Sequence, residues 1–246
     1  MITVKEIDNG KFIHASVTDF SDSLGYCEHK ILFYLEGIKA PPSLETLQGT
    51  KAHDEEQKYE EEHFVFEPVT PEQLGDITKN LEFAREAMFT RYLTRMKIEN
   101  DSITVLLSGR SDKIKRMKET LVVQDDKFPT NLQKYSERFE PYSDQILQAL
   151  TYLNSSFSND GSFNPEDWFE IPHKQKVWII QIRDKYNENK IFKVFKGIQN
   201  DFAEKYLESN VNRFAKLVLG IEKRVHHNIP DKCKPCRYAD KCEFKL

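Results

Sequence analysis

The order of local patterns along the chain predicts an α/β (α+β) fold, with a small mixed central sheet flanked by helices. Three observations carry that expectation. Helix-like segments occupy the N-terminal part, and β-rich runs follow in "SITVLLSGRSDKIKRM" and "ETLVVQDDKF". A helix, a second pair of β-rich runs and a long final helix complete the order. With 246 residues, 39% hydrophobic and 12% aromatic, the chain can build one large packed core.

Taken in order, "SVTDFSDSLGYCEHKILFYLEGI" reads as one helix, capped by Ser16 or Thr18 and ended by Gly37. Phe20, Leu24, Ile31 and Leu35 are among its apolar positions, and Cys27 lies mid-helix. A Pro-rich break precedes a polar, acidic helix carrying His53, and residues 71–98 read as helical after "TPEQL". The two β-rich runs are separated by a turn near Lys118 and Glu119. "FEPYSDQILQALTYLNSSF" is an amphipathic helix beginning after Pro141 or at Ser143. "KQKVWIIQIRD" and "NKIFKVFKG" form a hairpin across "KYNEN", and a long helix runs from about Gln199 to Leu219. There is no internal repeat or low-complexity linker. The expected organisation is one integrated domain: a helical region over 1–100, a core over 101–200, and a helix with a cysteine module over 201–246.

The net charge of −4 gives no global signature of a nucleic-acid binder, so such a site would be a local basic surface. Candidate basic groups are Arg91, Arg95 and Lys97, then Lys113, Lys115, Arg116 and Lys118, then Lys174 and Lys176. Each is either a solvated face or part of a phosphate track. No apolar run is long enough to span a bilayer, and "MITVKEIDNGKF" has no signal-peptide core. The chain therefore reads as soluble and cytoplasmic, with no membrane partner. In that reducing setting its four cysteines point to a metal rather than to disulfides. Cys233, Cys236 and Cys242 form C-x2-C-x5-C at the C-terminal end, and Cys27 lies far upstream. Such a set suits one metal centre that staples distant parts of the chain. Zinc is one candidate occupant, although it usually comes with paired C-x2-C units and only one is present.

A second constellation lies between the cysteines. Gly109-Arg110-Ser111-Asp112 ends one β-rich run, and Asp125-Asp126-Lys127 ends the next. Gln148 and Tyr152 fall on one helix face, and His53 follows Gly49 in G-x3-H. Carboxylates such as Asp112 and Asp125 are hard ligands suited to Mg or Mn, and an imidazole can join on Mn. Strand alternation puts Asp125 and Lys127 on one face and Asp126 on the other. Phosphodiester hydrolysis uses such a set: a cation polarises the phosphate and activates water, and a lysine stabilises developing charge.

In this order, G-x3-H, G-x2-D, D-x-K, Q-x3-Y and the split cysteines resemble the RecB-type branch of the PD-(D/E)XK nucleases. More narrowly they are similar to its iron–sulfur exonucleases, which include CRISPR-associated adaptation exonucleases and nuclease domains of repair helicase-nucleases. The resemblance spans Cys27 to Cys242. It implies a restriction-endonuclease-like core and a 4Fe-4S cluster on Cys27, Cys233, Cys236 and Cys242. It also implies Mg or Mn on His53, Asp112, Asp125 and the backbone carbonyl of Asp126. Lys127 would be the catalytic lysine, with Gln148 and Tyr152 beside the substrate strand. The implied activity is a DNA exonuclease acting on single strands or frayed ends, 5′ to 3′, in CRISPR spacer acquisition or DNA repair and alongside the proteins of those systems. A binding or assembly module, or an RNA-directed nuclease, would carry the same motifs. Asp126 departs from the pattern, because an apolar residue commonly sits between the carboxylate and the lysine. The charged stretch over 60–100 matches none of these motifs.

Overall fold

The computed structural model describes residues 1–8, 10–42, 44–63, 88–117, 119–187, 189–227 and 229–245. It is a mixed α/β structure with two mixed sheets flanked by helices. The first sheet contains β1 (Thr3–Ile7), β2 (Gly10–Ser16), β3 (Phe89–Ile98), β4 (Asp101–Arg110) and β7 (Ser156–Ser158), in the order β1-β2-β4-β3-β7. The second contains β5 (Lys113–Met117), β6 (Thr120–Lys127), β8 (Gln175–Asp184) and β9 (Lys190–Ile198), in the order β5-β6-β8-β9. Each has one parallel pair, β2 with β4 and β6 with β8; its other pairs are antiparallel. The run expected as "SITVLLSGRSDKIKRM" thus breaks at Ser111-Asp112, with β4 entering one sheet and β5 the other.

Burial explains the strands. Ile103, Val105 and Leu107 of β4 alternate onto one face and are fully buried. In β6, Leu121 through Asp126 are all buried, as a strand enclosed on both faces requires. Charge is costly to bury there, so the aspartates at its end need partners.

The first sheet differs from expectation at two places. Residues 89–98 form β3, not the end of a helix; the part of that expected helix over 71–87 lies outside the described residues. Phe89, Thr90, Tyr92 and Thr94 favour a strand, and β3 pairs with β4 from Phe89↔Arg110 to Ile98↔Asp101. That hairpin crosses the expected boundary at residue 100, so the N-terminal region supplies strands as well as helices. The β1–β2 hairpin is the other difference. Its strands pair in register from Thr3↔His14 to Ile7↔Gly10. A Cβ at Gly10 (φ +152°) would sit 1.8 Å from the carbonyl oxygen of Ser102 on β4.

Among the helices, α1 (Val17–Gly25) is capped by Ser16, whose Oγ accepts from Asp19 N–H at 2.9 Å. The expected single helix continues only after a corner, as α2 (Lys30–Leu35), so Cys27 lies in a turn rather than mid-helix. Asp22 holds that corner. It accepts from Lys30 Nζ at 2.8 and 2.7 Å and from Tyr34 OH at 2.6 Å. Helix α3 (Leu44–His63) carries His53. The short α4 (Gln133–Ser136) precedes α5 (Ser143–Leu153), which starts where the sequence signals place it. At Gly25, α1 passes so near α5 that a Cβ would lie 2.2 Å from Asp144 N. Helix α6 (Asp201–Val218) packs on α1, with the Phe20 and Phe214 rings edge to face at 5.3 Å. The short α7 (Pro230–Cys233) begins the cysteine segment. Among the described residues no helix is long and apolar enough to cross a membrane.

Candidate functional site

The end of β6 brings the carboxylates and the lysine together. Asp125 and Lys127 project from one face of the strand, and Asp126 from the other. Asp112, between β4 and β5, accepts a hydrogen bond from Asp126 N–H at 2.7 Å, which pins the β4–β5 bend to β6. Lys127 Nζ lies 2.7 Å from Asp125 Oδ2 and donates to Gln148 Oε1 at 2.9 Å. Gln148 Nε2 in turn donates to Tyr152 OH at 3.1 Å, along one face of α5. Tyr152 explains the glycine of G-x2-D: a Cβ at Gly109 would lie 2.9 Å from the tyrosine Cε1. At Gly49, by contrast, nothing described lies within 4 Å of an added Cβ, so packing does not explain that glycine.

His53 is half-buried, and its ring meets Phe128 edge to face at 4.6 Å. It acts electrostatically on Asp112. Among the described residues His53, Asp112 and Asp125 do not close into a group with ligand atoms all within 4.8 Å. The Asp126 carboxylate is engaged on the opposite face, accepting from Gln124 Nε2 at 2.9 Å and lying 3.4 Å from both Lys113 Nζ and Arg183 Nε. These partners match the buried Asp126 charge across the sheet. Lys113 and Arg183 were not singled out for that role from the sequence, because β8 and β5 reach β6 only in the fold.

Electrostatics favour cation binding here. Burial, then the nearby Asp125 charge, raises the Asp112 carboxyl well above the ordinary carboxylate range. Burial alone would lower the Lys127 ammonium, but Asp125 and then Asp112 more than offset that and hold it above its usual value. Lys127 is therefore a charged donor. Asp125 is buried, and its Oδ2 meets the Lys127 ammonium at 2.7 Å. A buried carboxylate beside a second carboxyl fits a hard divalent cation.

The basic residues divide. Lys113 and Arg116 are buried, and so are not an exposed phosphate track. Lys174 pairs with Glu119 at 2.6 Å, and Lys176 donates to Asn154 at 2.9 Å. Arg91 lies on β3, not on a helix, with its guanidinium 4.5 Å from the Trp168 ring centroid. Lys118 lies outside the described residues.

The four cysteines also gather. Cys27 and Cys233 are buried, Cys236 and Cys242 partly so. Burial raises the Cys27 thiol, and Cys236 and Cys242 are near enough to act on it electrostatically. Four thiols converging from two distant segments are a donor set that fits a cluster. Side chains already join those segments. Arg213 on α6 binds Glu28 at 2.7 and 2.9 Å, and Val225 N–H donates to Glu28 Oε2 at 2.7 Å. Tyr26 OH donates to the Lys232 carbonyl. Phe33 and Tyr238 stack with centroids 4.5 Å apart. His226 and His227, written as "VHHNIP" just before the cysteines, were passed over in the sequence, yet both rings lie in this pocket. Burial, then His226 and Lys232, lowers the His227 imidazole, favouring its neutral form.

No family model matches the chain, and no curated protein matches it. Solved structures do. The protein SSO0001 is 13% identical, with a TM-score of 0.49, covering 99% of this chain and 90% of its own. A candidate exonuclease from Eubacterium rectale is 15% identical, with a TM-score of 0.45, covering 90% of this chain and 87% of its own. The alkaline exonuclease LHK-Exo from Laribacter hongkongensis is 11% identical, with a TM-score of 0.42, covering 85% of this chain and 89% of its own.

Proposed function

We propose that the chain is a divalent-metal-dependent DNA exonuclease acting at single strands or frayed ends. The carrying observation is the cluster of buried Asp125 with half-buried Asp112 and Lys127, backed by Gln148 and Tyr152, in which Lys127 Nζ bridges Asp125 and Gln148. Mg or Mn held by Asp112, Asp125 and the Asp126 carbonyl, with His53 joining for Mn, would supply Lewis acidity toward the phosphate and make a water more acidic. Lys127 does the rest from the protein side. Its Nζ, steered by Gln148 Oε1, donates to the attacking water and balances the negative charge gathering on phosphorus-bound oxygen. Tyr152 fixes the Gln148 amide, so that its oxygen faces the lysine. DNA as substrate and entry from a free end follow from the motif order that the sequence shares with the iron–sulfur exonucleases.

The four thiols are read as ligands of a 4Fe-4S cluster with a structural role, supported by their convergence from two distant segments. Closing so long a loop removes conformational freedom from the unfolded chain. The test of the nuclease reading is cleavage of end-labelled single- and double-stranded DNA with Mg, with Mn or with EDTA, beside Lys127→Ala and a matched RNA strand. Metal-dependent shortening from an end by the wild type alone supports it. Undiminished cleavage by the variant overturns the mechanism.

A further inference from the structure

Two imidazoles crowd the cysteine pocket, and the cluster reading leaves them without a task. Among the described residues the only group of three or more His, Cys, Asp or Glu side chains with ligand atoms all within 4.8 Å is Cys27, His226 and His227. Cys233 Sγ lies 3.8 Å from His226 Nε2. A tetrahedral zinc ion, with Zn–S of about 2.3 Å and Zn–N of about 2.0 Å, sets its sulfur and nitrogen ligands about 3.6 Å apart. Three ligands are therefore already grouped, and the Cys233–His226 pair is close to single-ion spacing.

We propose that the cluster-free protein binds one borderline divalent cation of the zinc class through Cys27, His226, His227 and Cys233. This goes beyond the nuclease reading and does not depend on it. Two thiolates and two neutral imidazoles balance a divalent charge, which makes the ion tolerable in a partly buried site. The ligands come from both joined segments, the turn after α1 and the stretch from His226 to Cys233. Glu28 with Arg213 and Val225, and Tyr26 with Lys232, hold those segments together without a metal. Binding asks Cys233 to move toward Cys27 and His227, because its thiol lies outside the group whose ligand atoms are all within 4.8 Å. Ile229 N–H donates to His227 Nδ1 at 3.1 Å, so ligation through that nitrogen exchanges one hydrogen bond for the metal. Cys233 also lies outside the three-residue group and joins it through His226, whereas Cys236 and Cys242 are partly exposed. The pocket thus has two mutually exclusive loadings: a cluster on four thiols, or one ion on two thiols and two imidazoles.

Cobalt(II) is the spectroscopic probe. The full chain, stripped by chelator and kept reduced under anaerobic conditions, carries Asp112→Asn and Asp125→Asn so that the carboxylate site does not compete. The expected result is one cobalt per chain, with sulfur-to-cobalt charge transfer and intense tetrahedral d–d bands. Replacing both histidines (His226→Ala, His227→Ala) should weaken binding by roughly 10–100-fold or more. Replacing the outer thiols (Cys236→Ala, Cys242→Ala) should leave cobalt affinity unchanged while abolishing reconstitution of a cluster absorption band. Far-UV circular dichroism checks that each variant folds, and if the histidine variant does not, the outer-thiol variant decides alone. Cobalt binding that is absent, that needs Cys236 and Cys242, or that ignores the histidines in a folded variant overturns the proposal. The DNA cleavage assay is unaffected by any of these results, so the two readings fail separately.

Discussion

The carboxylate cluster and the cysteine pocket are built by opposite means. Asp125 and Lys127 sit on one enclosed strand, where backbone pairing with β5 and β8 fixes which way each side chain points. Cys27, Cys233, Cys236 and Cys242 sit in turns and short helical pieces. Their positions depend on side-chain pairs that cross the fold, such as Glu28 with Arg213. The first site is preorganised by backbone regularity, the second by a few polar and aromatic clamps. Loss of one group should accordingly disable the first site's chemistry, but loosen the second site's structure.

The sharpest way to break this contrast is at Lys127. Lys127→Ala should cut cleavage by on the order of 10²–10³-fold, as removal of a charge-stabilising donor does. Its fold should persist by circular dichroism, with a lower melting temperature because Asp125 loses its counter-charge; loss of the fold would make the lysine a structural member of the cluster. At the other site the effect should be on stability. Asp22→Ala leaves Lys30 and the buried Tyr34 hydroxyl without their shared acceptor, and should cost about 2–3 kcal/mol in denaturant unfolding. An unchanged midpoint would mean that the corner before Cys27 is held by other contacts.

Titration separates the sites further. Asp112 has a folded-state pKa above its unfolded value, so the folded chain holds the extra proton. Its contribution is fully present below the unfolded pKa and is lost as pH rises through the folded one. In EDTA, stability should therefore decline on raising the pH above the ordinary carboxylate range, by at most about 1.4 kcal/mol per pH unit for one proton. Asp112→Asn should flatten that slope, and urea midpoints across the pH range check it. The smallest change tests the backing of the cluster. Gly109→Ala presses a methyl against Tyr152 and should cost about 1–2 kcal/mol, with a moderate loss of cleavage as Gln148 is disturbed. Full activity and stability would show that the tyrosine yields freely.

Much of the first site was legible because strand and helix periods translate spacing into direction. D-x-K on a strand and Q-x3-Y on a helix place their side chains together whatever else the fold does. The hairpin over 175–198 and the start of α5 were readable for the same local reasons. Residues 89–98 were not, because their charged alternation suits a helix surface as well as a strand, and only pairing with β4 decides between them. The continuous helix through Cys27 misled because local propensity cannot see Asp22 turning the chain at Lys30 and Tyr34.

Strand and helix periods, the ordered polar motifs and the C-x2-C-x5-C thiol spacing can be read along the chain, since each is written in near-neighbour spacing. The folded chain adds that Asp126 finds counter-charges on β5 and β8, that Tyr152 closes on Gly109, and that two histidines enter the cysteine pocket. Those outcomes join residues far apart in the chain. Contacts of that kind arise from how buried surfaces and charges are matched in three dimensions, and spacing along the backbone does not encode them.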